Sequence, residues 1–263
     1  MNPEDDRIIY LEERREAILS LLENDGVVRI TDLSERFQVS SATIRKDIRS
    51  LEREGLLRRT HGGAIKPQQN HELKLEVAVT SAHDEKVRIG KAAAQMVHDS
   101  DILFIQAGTT CREFARALKG KRGLTLFLSD FEIAMDAERI LPDSEIIFIG
   151  GPVRTGYHYT HGPEAIRQLL NYHVPTAFMS TNAFTFDIGF STHRLEQANW
   201  LQAQLKMADR NIMLLDSSKF GIQAPFGSFG LDDIDCLITD TLMDADIRDR
   251  IHEKAPGLDI VFA

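Results

Sequence analysis

Val39-Ser40-Ser41-Ala42-Thr43-Ile44-Arg45-Lys46-Asp47-Ile48-Arg49-Ser50-Leu51-Glu52-Arg53-Glu54 sets Ile44, Ile48 and Leu51 on one face at helical spacing, with Lys46, Arg49 and Arg53 opposite. A helix buried on one side and basic on the other suits insertion into a major groove, first turn nearest the base edges. Ser40 or Ser41 is the expected amino-terminal cap, and small hydroxyls with free helix-start amides accept a backbone phosphate. Thr43, Arg45 and Lys46 reach toward bases, whereas Arg49 and Arg53 reach toward phosphate. Upstream, Gln38-Val39-Ser40 is a tight connection from a helix holding Leu33 and Phe37, which Thr31 is expected to cap with Glu35 only roughly placed to reciprocate. Before that, Val27-Val28-Arg29-Ile30 is a strand candidate, and Ala17, Ile18, Leu21 and Leu22 make one face of a first helix over 14–23. Downstream, Leu56-Leu57-Arg58-Arg59-Thr60-His61-Gly62-Gly63-Ala64 reads as strand, glycine turn and return strand, a basic wing placing Arg58, Arg59 and His61 on the flanking backbone. The same stripe also suits a solvated helix face, and helix-turn-helix geometry occurs in proteins that bind no DNA.

The whole chain, 263 residues with 43% hydrophobic and 27% charged positions, has an ordinary soluble composition with room for one large or two modest domains. Its longest apolar runs, Ile102-Leu103-Phe104-Ile105 and Ile146-Ile147-Phe148-Ile149, are far short of the roughly 18 residues that span a bilayer. Residues 1–15 are charged and carry no apolar signal core, so a cytoplasmic location without membrane contact is expected. Cys111 and Cys236 lie beside apolar residues and far apart, so no disulfide is expected. The net charge of −9 argues at first against nucleic acid, because phosphate binding depends on Lys and Arg. Residues 26–66, however, hold nine basic side chains against five acidic ones. The acid excess therefore lies elsewhere.

Three segments are expected: a small basic domain over 1–66, a linker over 67–80 and a larger domain over 81–263. The last alternates helical stretches with strand candidates at 102–105, 124–128, 145–149, 176–179, 212–215, 236–239 and 258–262, which implies an α/β fold around a parallel sheet. After the first strand, Gln106-Ala107-Gly108-Thr109-Thr110 opens a helix and offers Gly108, Thr109 and Thr110 amides and hydroxyls, with the helix dipole, to an anion. It matches neither a Walker loop nor a dinucleotide fingerprint, so no cofactor is expected. Two more strand ends should converge nearby, one with Gly150, Gly151 and Arg154, the other with Lys219. Each alone is an ordinary turn with a solvated charge; together they favour an anion site. His158 and His161 are spaced to line a pocket or hold a metal, but no cysteine or paired carboxylate accompanies them, so no metal is expected. Cys111 reads as a packed thiol before a redox sensor, and Trp200 as an apolar wall either of the core or of a ligand cleft.

Residues 39–48, Leu51-Glu52 and 56–64 resemble the DeoR-type winged helix-turn-helix signature. The larger domain resembles the sensor of the same family through Glu85-Lys86, Gly108-Thr109-Thr110, Gly150-Gly151, Gly162, Gly189, Glu196 and Asp216-Ser217-Ser218-Lys219-Phe220-Gly221, so that the likeness spans residues 8 to 240. That resemblance implies a doubly wound sensor similar to ribose-5-phosphate isomerase and the coenzyme A transferases. It implies double-stranded operator DNA, a small phosphorylated metabolite and a homo-oligomer, dimer or tetramer, as partners. It also implies a repressor of a carbohydrate-catabolism operon and adds Asn182 and Glu196 to the effector residues. An isomerase fused to a DNA-binding domain is the alternative. The isomerase supplies carboxylates where this chain reads Ser180-Thr181-Asn182-Ala183-Phe184-Thr185 and Glu196-Gln197, so no catalytic residue is nominated. Three departures bear on the ligand: Gln106 where aspartate is common, Leu128-Ser129-Asp130 where Thr-Asn is common, and Trp200 where lysine is expected.

Overall fold

The computed structural model describes residues 11–53, 56–60, 62–65, 72 and 75–263, and the chain divides into two compact units at His71/Glu72. In the first, α1 (Leu11–Asp25), β1 (Val27–Arg29), α2 (Ile30–Phe37), α3 (Ser41–Arg53), β2 (Arg58–Thr60) and β3 (Gly63–Ile65) enclose Ile18, Leu22, Leu33, Phe37, Ile44, Ile48, Leu51, Leu57 and Ala64. The strands form an antiparallel sheet in the order β1-β3-β2, so the wing is anchored to the strand that precedes α2. Only glycine fits at the start of β3, because a Cβ on Gly63 would stand 1.7 Å from the Val28 carbonyl oxygen.

Capping resolves differently at the two helices. At α3, Ser40 is the cap: its Oγ accepts the Thr43 amide at 3.1 Å, while Ser41 is already inside the helix. At α2 the expectation fails, since the cap is Arg29 without a side-chain bond and Thr31 is a helical residue whose hydroxyl turns to Asp32. The reason is tertiary. Ile30 donates its amide to the Gly62 carbonyl at 2.7 Å and is buried, so the chain passes from β1 into the helix one residue early.

The second unit opens with α4 (Leu75–Thr80), a helix inside the stretch expected as linker; of the rest of 67–80 only residue 72 is described. There follow α5 (His83–Gln95), β4 (Ile102–Ile105), α6 (Thr109–Ala117), β5 (Thr125–Leu128), α7 (Phe131–Ile140), β6 (Glu145–Phe148), the hairpin β7 (Val153–Arg154) and β8 (Tyr159–Thr160), and α8 (Pro163–Leu169). The chain then runs through β9 (Val174–Met179), β10 (Ala183–Thr185), β11 (Gly189–Thr192), α9 (Leu195–Leu205), β12 (Ala208–Leu214), β13 (Phe226–Phe229), β14 (Cys236–Thr239), α10 (Ala245–Lys254) and β15 (Asp259–Phe262). All seven strand candidates enter one parallel sheet, ordered β15-β14-β12-β9-β4-β5-β6. Helices cover both faces, which is why the strands are continuous apolar runs with no polar alternation. Leu103 and Ile105 point to a core shared with α5, α6 and α7, whereas Phe104 points to one shared with α8, α9 and α10. A small antiparallel sheet, β10-β11-β13, has Phe184, Phe190 and Phe229 in the second core.

Candidate functional site

Two regions gather the nominated residues. In the first unit, burial of Ile44, Ile48 and Leu51 turns Arg45, Lys46 and Arg49 outward as exposed side chains. The one acid within this run, Asp47, is drawn inside, only 2% exposed, where its Oδ2 accepts Arg14 Nε from α1 at 2.6 Å. Removing that negative charge from the surface leaves the outer face of α3 cationic, and it ties the helix to α1. Ser40 and Thr43 hydroxyls lie 2.9 Å apart at the amino end of α3, and Ser41 Oγ is 3.5 Å from Ser34 Oγ. Arg45, Arg49 and Arg59 line a crevice of about 230 Å³ between α3 and the wing, together with Ile30, Ile48, Thr60 and Gly63. Arg59 is held by Glu52, which accepts its backbone amide at 2.9 Å and its Nε, so α3 grips the wing through a carboxylate. Arg58 is half-buried on β2. The Arg53 side chain and all of His61 lie outside the described residues.

In the second unit, the sheet order reverses between β4 and β9: β4 leads to β5 and β6 on one side, β9 to β12, β14 and β15 on the other. Loops leaving adjacent strands in opposite directions open a crevice at their carboxyl ends. Gly108-Thr109-Thr110 stands there at the start of α6, beside the Ser180–Asn182 turn from β9, and Lys219 closes a short 3₁₀ turn after β12, the next strand. Gln106, in place of an acid, is buried and bridges the crevice floor by accepting the Ser180 amide at 2.8 Å. Asn182 accepts the Thr192 hydroxyl at 2.9 Å.

Lys86 on α5, part of the sensor pattern, is a residue of this region that the anion-site reading of the sequence misses. It is 2% exposed, and its ammonium donates to the Ala78 and Ser81 carbonyls at 2.6 and 2.7 Å. Burial pulls its pKa down to about 8 against the opposing charge of Asp216, while Lys219 pushes the same way as burial. The signal was present: Lys86, Ile89, Gly90, Ala93 and Ala94 form one buried helical stripe, and a lysine on such a stripe is a buried charge.

The remaining residues of the expected site lie on other elements. Gly150 and Gly151 follow β6, the edge strand two positions from β4, roughly 10 Å across the sheet. The Gly150 amide donates to Gln168 Oε1 at 2.7 Å, and a Cβ on Gly151 would meet the His161 carbonyl at 2.9 Å and Ala165 Cβ at 3.0 Å. These glycines therefore serve close packing against α8. Arg154 is engaged too: Glu72 accepts from both of its terminal nitrogens, Tyr159 Oη lies 2.6 Å away, and the guanidinium sits 3.6 Å over the Tyr157 ring. Glu196, at the start of α9, is half-exposed and 3.4 Å from Arg194.

Asp130, after β5, caps α7: Oδ1 accepts the Glu132 and Ile133 amides at 2.9 and 3.1 Å. Its Oδ2 faces the Gly108 amide at 3.4 Å, and burial raises its pKa to about 6 against those three hydrogen bonds and Arg112. Cys111 is fully buried, and burial pushes its thiol well above the ordinary range, which suits packing and not redox sensing. Trp200 belongs to the core, edge-on to Phe104. His158 lies 3.3 Å from Glu132, and no group of three or more His, Cys, Asp or Glu able to hold a metal occurs among the described residues. No helix among them is long and apolar enough to cross a membrane.

Comparison with known proteins matches residues 14–70 to the DeoR-like helix-turn-helix domain and residues 81–241 to the DeoR C terminal sensor domain. The chain is 29% identical to the putative aga operon transcriptional repressor of Escherichia coli O157:H7, over 97% of this chain and 95% of the relative. It is 30% identical to the HTH-type transcriptional repressor GlcR of Bacillus subtilis, over 92% of this chain and 94% of the relative. Among solved structures, eIF2B beta from Chaetomium thermophilum aligns over 89% of this chain and 86% of its own, at TM-score 0.50 and 14% identity, a likeness of fold alone. Ribose 5-phosphate isomerase A from Methanocaldococcus jannaschii aligns over 53% of this chain and 55% of its own, at TM-score 0.38 and 18% identity.

Proposed function

The chain belongs to the DeoR family of DNA-binding transcriptional regulators and is not an enzyme, and on that premise we propose that it represses a carbohydrate-catabolism operon until a phosphorylated sugar or sugar acid releases it. The observation that carries this reading is the presence of an exposed cationic helix with its acid turned inward in one unit and of a glycine-threonine loop at a strand-order reversal in the other. In this reading Ser40, Ser41 and Thr43 approach phosphate and base edges at the amino end of α3, Arg45 and Lys46 read bases, and Arg49, Arg53, Arg58, Arg59 and His61 hold the backbone. The effector's anionic group sits at Gly108, Thr109 and Thr110, with Asn182 and Lys219 from neighbouring strand ends and Lys86 behind them. Gly150, Gly151, Arg154 and Glu196 act at one remove, by shaping and supporting the loops around it.

The protein works in the cytoplasm as a dimer or tetramer, because one short recognition helix buries too little for specific affinity at physiological salt. Release requires the effector to bind the DNA-competent and incompetent states unequally. The test has two arms. Lys46→Ala with Arg49→Ala abolishes retardation of the DNA upstream of the chain's own gene; unchanged retardation overturns the assignment of α3. Lys219→Ala leaves retardation intact and removes release by phosphorylated sugars or sugar acids screened as inducers; a fully inducible variant places the effector elsewhere.

A further inference from the structure

The loop that would receive the effector's anion faces an anion of the protein's own. Asp130 is 6% exposed, one strand over from the loop, and an isolated bridge to Tyr159 holds its backbone. Capping α7 occupies Oδ1 alone, and an asparagine or serine would cap equally well. The second oxygen is turned instead to the Gly108 amide, the first donor of the loop, at 3.4 Å, a long bond that another acceptor can replace. Nearby cations offset this charge only in part, through Arg112. Arg112 is shared between Glu132 and Asp136, and Arg116 between Glu113 and Asp136.

We propose that Asp130 is a specificity-determining residue of the anion seat: its carboxylate competes with the ligand for the Gly108 amide, so the seat takes a singly charged group, or a fixed dianion only with one proton taken up by Asp130. This rests on the reading of Gly108-Thr109-Thr110 as the seat. The effector class it selects carries one negative charge at that end, a carboxylate or a singly protonated phosphate monoester. Coulomb repulsion of a dianion a few ångströms away in a partly buried crevice far exceeds thermal energy. Desolvation already brings the Asp130 proton within reach near neutral pH. The other titratable or charged groups around it include Arg112 and Cys111 on α6, Glu132 on α7, and His158 and Tyr159 on the hairpin, with Arg154 bonded to the Tyr159 hydroxyl.

The experiment is equilibrium dialysis of inorganic sulfate, a dianion at every pH used, against the full chain at constant ionic strength near pH 5.5 and pH 7.5. Wild type binds roughly 25-fold more tightly at the lower pH, from the fraction of Asp130 protonated at each. Asp130→Asn and Asp130→Ser, both able to cap α7, bind tightly at both values, and Thr109→Val weakens binding in every background. If the Asp130 variants match wild type near pH 7.5, or keep its pH dependence so that His158 or another group is responsible, the proposal is overturned while the seat stands. If Thr109→Val has no effect, or sulfate binds to none of the proteins, the seat itself is misplaced and the proposal falls with it.

Discussion

At the scale of single residues, the informative groups are charges taken out of water. Asp47 looks from its neighbours like one more solvated acid on a charged helix, yet its carboxylate is the buried partner of Arg14. Asp47→Ala removes a buried charge-assisted bond to Arg14, so it should destabilise the first unit by about 2 kcal/mol in urea unfolding. A loss below about 1 kcal/mol would mean that Arg14 finds solvent instead. Lys86 behaves oppositely to a surface lysine. With its folded pKa near 8 and the unfolded value at 10.5, the folded chain holds fewer protons than the unfolded chain between those values, so stability rises as pH climbs from 8 towards 10.5. Lys86→Met should flatten that rise, measured as Tm against pH.

At the scale of elements, the reader unit depends on how α3 holds its neighbours. Ser40→Ala removes the cap and should cost about 1 kcal/mol of unit stability without touching the basic face. Glu52→Ala frees the Arg59 backbone and guanidinium together, so the wing loses its tie to α3. Its expected effect is a roughly tenfold loss of operator affinity in retardation assays, with the helix content of the unit unchanged, about the loss of one charge-assisted bond. Affinity rising instead would mean that freeing Arg59 for phosphate outweighs losing the wing's position. The elements themselves were unequally legible. Seven apolar runs announce the parallel strands because both faces are buried, and amphipathic spacing announces α3. The two- to four-residue strands β7, β8, β10, β11 and β13 carry no such period, and α4 is too short to stand out from a linker. Thr31 misleads because local capping chemistry cannot know that Ile30 is pulled into the core and bonded to Gly62.

At the scale of the whole molecule, a net charge of −9 coexists with an outward cationic helix, so non-specific attraction to duplex should be weak and binding should depend on specific contacts and on the number of readers joined. Arg49→Ala should lower the slope of log affinity against log salt by about one for each reader bound, measured by titration on operator DNA. An unchanged slope would place Arg49 away from phosphate. By itself, the sequence determined the division into a small basic reader and a larger α/β sensor, the parallel strands, the recognition helix and the family. Each of these rests on local periodicity or on a motif carried within a few consecutive residues. Only the tertiary structure decided which of the nominated residues meet. Gly108, Asn182 and Lys219 fall on adjoining strand ends, whereas Gly150 and Gly151 are two strands away and Arg154 is satisfied by Glu72, 82 positions earlier. Strand order, burial of a charge and the neighbour of a carboxylate are long-range facts, set by which faces of distant segments close over one another to exclude water.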